Sequence, residues 1–143
     1  MADTQTTTPS PRAGAVAAAP APTAMSVVAP VIGWLIPGAG HLIQKRWIRG
    51  LLLMLSVAAM FAFGLAMDGK IYKSNTGDLL DILGFISDLG TGILYALGRV
   101  FDWGSTTIYI ATADYGTKFI AVAGLLNIIA AVDAHHIAIG KKQ

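Results

Sequence analysis

Asp133, His135 and His136 sit near the end of one long apolar run, and His41 and Arg49 flank another. A carboxylate beside an imidazole could relay a proton, hold a metal or simply pair. Counting back from Lys141, Asp133 lies about 12 Å inside its segment if that segment is helical. An ionised carboxylate at such depth in a bilayer costs a few kcal/mol, so it should face other helices and have a partner. His136, three residues on, shares its helix face. The expected arrangement is a structural ion pair or hydrogen bond from Asp133 to Arg49 or His41, locking the last helix onto the first hairpin. A metal site from His41, Asp133 and His136 or His135 is disfavoured. Adjacent histidines point about 100° apart on a helix, and no HExxH or carboxylate-rich set accompanies them. A proton relay is the sharper idea, but one cluster makes no pathway. Asn127, two turns further in, reads as an interhelical hydrogen-bond donor.

The second constellation is Pro37-Gly38-Ala39-Gly40-His41, with Pro37, Gly38 and Gly40 as the turn. Proline removes a backbone donor and glycine permits close backbone approach, so a break at Ile36-Pro37 is expected. Freed backbone groups there could meet an ion or a lipid phosphate. The plainer reading is a hairpin turn between two closely packed helices, and it is preferred because irregular backbone at membrane depth needs a surrounding cavity. Lys45, Arg46 and Trp47, together with Lys141 and Lys142 at the other terminus, are expected at lipid headgroups.

The elements that position these residues are apolar. Of 143 residues, 55% are hydrophobic and only 13% are charged, against about a quarter in a soluble domain. Mean hydropathy is +0.63. Gly50 to Met67 carries no charge over 18 residues, long enough to cross a hydrocarbon core of about 30 Å. A net charge of +2 argues against nucleic acid as partner, and the absence of cysteine excludes disulfides and thiol chemistry. All carboxylates are Asp; no Ser/His/Asp spacing, phosphate loop or paired glutamates point to an enzyme. No cofactor is implied.

Residues 1–24 are Thr-, Ala- and Pro-rich and read as a disordered tail. Their Ala-rich run lacks the core of a signal peptide. Residues 25–142 read as an all-α membrane domain: a helical hairpin (about 25–43 and 47–67), a C-terminal span (about 118–140), and an amphipathic or re-entrant helix (about 79–101). In that last segment Asp81, Gly84, Asp88, Thr91, Tyr95, Arg99 and Asp102 step by three or four, forming one polar stripe. The stripe could face water or a bundle interior; a solvated face is expected. Residues 105–112 alternate weakly and could be extended. Basic residues at the hairpin bend and the C-terminus share a side by the positive-inside rule. The stretch between, with three cations and six aspartates, then lies opposite. Three spans are therefore expected, with four as the second choice. Alanine ladders recur at four-residue spacing, Ala58, Ala62, Ala66 and Ala130, Ala134, Ala138, and would permit close helix approach.

The block PGAGHLIQKRWIRGLLLM, the middle FISDLGTGILYALGRV and the C-terminal GLLNIIAAVDAHHIAIGKK together resemble a small bacterial membrane-protein family of unknown function. That family carries a Pro-Gly-x-Gly-His turn, and an Asn in the last helix followed by Asp-Ala and Gly-Lys. The resemblance covers most of residues 29–142. It implies a location, integral to the bacterial inner membrane, more than an activity, and the charge pattern adds a cytoplasmic C-terminus. The function expected is a non-catalytic structural or accessory subunit, packing with itself or with other membrane proteins. The alternative is a small ion-, proton- or lipid-handling protein using the Pro37–His41 break and Asp133.

Overall fold

The computed structural model describes residues 24–74, 78–104 and 111–141. Most of the expected tail (1–23), Lys142 and most of the alternating stretch 105–112 lie outside the described residues. Among those described, all regular structure is helical: α1 (Ala24–Leu35), α2 (Ala39–Ile43), α3 (Trp47–Ala66), α4 (Leu79–Leu89), α5 (Ile93–Val100) and α6 (Ala111–Ala138).

Two helices are long and apolar enough to cross a membrane, α3 with 20 residues and α6 with 28. At 1.5 Å per residue they measure about 30 and 42 Å. They run antiparallel, packed from Arg49 beside Asp133 at one end to Gly64 beside Gly116 at the other. Val57, Phe61, Ile120 and Ala123 fill the seam, with Ile71 from the following loop. The end carrying Lys45, Arg46, Arg49 and Lys141 is the basic end; the other carries Asp68, Asp78 and Asp114 and is the acidic end.

Between these spans sit two short helix pairs, each folded back on itself. The first occupies the segment expected to span as 25–43. Helix α1 runs antiparallel to α6: the Ser26 carbonyl meets His135, while the Trp34 carbonyl, eight residues later, meets Asn127. There Ile36-Pro37-Gly38-Ala39 turns the chain, with Ala39 N–H donating to the Ile36 carbonyl at 3.0 Å. Gly38, at φ 79° and ψ −14°, has the conformation that a type II turn demands after its proline. A side chain on Gly38 would also strike the Gly50 carbonyl. Helix α2 then returns along α1, with Gly40 against Ala29 and Gly33. The segment expected to span as 25–43 is thus a short helical hairpin whose turn lies near the level of Asn127. Twelve residues of α1 cover about 18 Å, too little to cross.

The second pair does the same from the acidic end. Along α4 the chain descends beside α6, with Ser87 at Ala121 and Gly90 at Gly124. Its axis then bends by 110° at residues 90–92 before α5. Helix α5 climbs back until Gly98 meets Ile71 and Gly104 bonds the Ile71 N–H. The segment expected as one amphipathic or re-entrant helix over 79–101 is therefore a pair of helices bent at residues 90–92, the geometry of a broken span or a re-entrant loop. Leu79, Leu80, Leu83, Ile86, Val100 and Phe101 are exposed along its outer side, where lipid would be the solvent. Helix α6 is described from Ala111, before the expected 118, with Asp114 paired to Lys118 one turn later.

Candidate functional site

At the basic end, fold and depth bring together three of the expected cluster. His41 is 1% exposed on α2, and its Nε2–H donates to Asp133 Oδ2 at 3.1 Å. Arg49, in the first turn of α3, reaches the same oxygen at 3.3 Å with half its side chain in the open. One carboxylate therefore ties α2, α3 and α6. Gln44 completes the tie, donating to the Gly40 and Ala134 carbonyls at 3.0 and 2.9 Å. His136 is half-buried and makes no hydrogen bond to this cluster among the described residues. Its neighbour His135 turns the other way, and its Nδ1–H donates to the Ser26 carbonyl at 2.7 Å. The two rings diverge as the helix geometry requires, so His135 rather than His136 fastens a second element.

Asn127 stands apart from that cluster, at the depth where the two hairpins meet. It is 0% exposed, and its Nδ2 donates at 2.8 Å both to the Trp34 carbonyl of the first hairpin and to the Gly90 carbonyl of the second. One amide thus bridges both breaks. Its Oδ1 is buried with no hydrogen-bond partner among the described residues. Gly92, at φ 63° and ψ −118°, lies so close that a Cβ would strike the Trp34 carbonyl.

The polar stripe of the second hairpin does not face water. Asp88 and Thr91 are both 0% exposed, and Gly84 and Tyr95 are half-buried; only Arg99 and Asp102 reach the surface. The expected solvated face is therefore mostly a bundle-facing one. The reason is the break: residues 70–74, returning from α3, lie across the stripe and cover it. Tyr72 N–H donates to Asp88 Oδ2 at 2.7 Å, and the Tyr95 hydroxyl donates to the Tyr72 carbonyl at 3.4 Å. Burial, with the carboxylates of Asp81, Asp88, Asp114 and Asp78, raises the Tyr72 phenol above its ordinary pKa. Sequence reasoning missed Asp88 because a stripe at helical spacing looks the same on either face, and the loop that covers it has no period to read.

Lys45, Arg46, Trp47, Ile48 and Arg49 line an open surface groove of about 400 Å³ at the basic end. Lys45 turns the chain at φ 60° and Arg46 precedes the first residue of α3. Trp47 is 68% exposed, and Lys141 is exposed at the same end of the bundle.

Compared with known proteins, residues 28–143 match the family described as "Family of unknown function (DUF6677)". No curated protein and no solved structure matches.

Proposed function

The chain belongs to this family of unknown function, and from that premise we propose that it is a non-catalytic structural or accessory subunit of a membrane. It acts by packing its helices against a second copy or a larger membrane complex. The observation that carries this reading is the outer face of α3. Ala58, Ala62 and Ala66 are exposed along three turns, whereas Ala130 and Ala134 of the other ladder are consumed inside the chain by the first hairpin. Small side chains let a neighbouring helix approach closely where lipid tails offer no comparable packing. The ties through Asp133, Gln44 and His135 support a structural role for the buried polar groups. By the positive-inside rule the basic end faces the cytoplasm of a bacterial inner membrane.

Native mass spectrometry in mild detergent tests this, together with crosslinking through a single cysteine placed at Ala62 in a chain that has none. A discrete oligomer or a co-purifying membrane subunit is expected, and Ala62→Ile should disperse it. A strict monomer with no crosslink would end the reading.

One observation favours a second reading. The basic, Trp-edged groove at Lys45–Arg49 suits an anionic lipid headgroup. Asp133→Asn separates the two: loss of folded protein speaks for the structural role, and loss of lipid binding in a folded protein speaks for lipid handling.

A further inference from the structure

We propose that Asp88 is a reversible proton-binding site, reached from the acidic end along the second hairpin. Four observations carry it. First, the carboxyl is 0% exposed, and no lysine, arginine or histidine pairs with it among the described residues. Second, it is held in place: Oδ2 accepts the Tyr72 N–H at 2.7 Å, while Oδ1 is buried with no partner among the described residues. Third, it sits one residue before the end of α4. There the negative end of the helix dipole favours a positive charge on, or a proton bound to, the group beside it. Half-helix C-termini at broken membrane helices are used to hold protons and cations for that reason. Fourth, Asp78 caps α4 and Asp81 stands two turns before Asp88 on the same helix face, so carboxylates that concentrate protons lie between the acidic end and the site.

A buried carboxylate without a counter-ion must be neutralised. A proton does this better here than a metal ion, because the neighbouring oxygens already accept hydrogen bonds. The Asp88 carbonyl accepts from Thr91 Oγ1 and N–H, and the Ser87 carbonyl from Gly90 N–H. The Tyr72 carbonyl accepts from Tyr95. A proton needs no coordination shell; a hydronium ion at the acidic end protonates Oδ1 and leaves as water. The groups facing Asp88 are accounted for on each side. Tyr72 and Tyr95 sense its charge from the loop and from α5. Arg99 acts on Tyr95, and Lys70 Nζ sits over the Tyr72 ring at 4.8 Å. Neither α1 nor residues 119–132 of α6 contain a titratable side chain. This site is separate from the Asp133 cluster at the basic end, and nothing in the accessory-subunit reading requires it.

Infrared difference spectroscopy of the full chain in lipid vesicles, stepped from mildly acidic to alkaline pH, reads the site directly. A carbonyl stretch of a protonated, weakly hydrogen-bonded acid should be present in the wild type and disappear reversibly as pH rises. It should be absent from Asp88→Asn, whose amide oxygen can still accept from Tyr72 and keep the fold. Should that variant not fold, Asp81→Asn removes the half-buried carboxyl two turns earlier on the same helix and leaves Asp88; the band must survive there. Absence of the band at every pH, its survival in Asp88→Asn, or its loss in Asp81→Asn would each overturn the proposal. Suppression of the band by sodium at constant pH would assign the site to a metal ion and overturn it equally.

Discussion

Two side chains, Asn127 and Asp133, connect most of the molecule, and they differ in how they do it. Asn127 supplies both donors for carbonyls that the helix breaks leave open. Asn127→Leu fills similar space but leaves two buried acceptors without a donor, so a loss of about 1–3 kcal/mol is expected, measured as a lowered midpoint in denaturant. Asp133 joins a buried imidazole and an exposed guanidinium. Exposure screens the second contact, so double-mutant cycles should give ~1 kcal/mol for His41–Asp133 and below about 0.5 kcal/mol for Arg49–Asp133. An Arg49 coupling as large as that of His41 would contradict the burial argument. The Asp133 contacts were legible in advance because helical rise fixes depth: residues counted from the basic anchors on two helices fall at one level. Asp88 was not legible, since its burial is decided by residues 70–74, which belong to no periodic element.

At the scale of elements, the Pro37–Gly38 break was readable and the Gly90–Gly92 break was not. Proline and glycine in adjacent places force a turn, whereas the polar stripe keeps its three-four spacing straight across Gly90-Thr91-Gly92 and imitates one continuous helix. Helix α4 stops just before Gly92, which turns at φ 63° and lies against the Trp34 carbonyl at the tip of the first hairpin. Gly92 should therefore tolerate substitution far worse than its backbone angle alone dictates. Gly140 has a comparable φ of 73° with nothing near an added Cβ, so Gly140→Ala should cost about 1–2 kcal/mol at most. Gly92→Ala brings a Cβ against the Trp34 and Leu35 carbonyls and must part the hairpins, at about 3 kcal/mol or more. Thermal unfolding of the two variants side by side measures the difference. Equal losses would mean that the tips are not in rigid contact.

For the whole molecule, the pattern of a short folded-back helix pair followed by a helix long enough to span occurs twice, in opposite directions. The packing is not symmetric, because the first limbs of both hairpins, α1 and α4, lie against the same helix, α6. This architecture changes the predicted topology at one place. If 25–43 crossed the membrane completely, Ala24 would emerge at the acidic end, opposite Lys141. With the first hairpin re-entrant, the Ser26 carbonyl is bound to His135 near the C-terminal end of α6, and both termini of the helical domain share the basic end. The chain has no cysteine, so single cysteines report cleanly on exposure to a membrane-impermeant thiol reagent. Cysteines replacing Ala24 and Lys141 should label from one side of a sealed vesicle, and those replacing Asp68 and Asp102 from the other. Leu35 and Ile93 flank the contact between the hairpin tips, so cysteines there should label from neither side without detergent. Labelling of Ala24 from the side of Asp102 would restore a three-span topology. In that arrangement Asn127 could not bridge two hairpins that enter from opposite faces, because the first would no longer turn back at its depth.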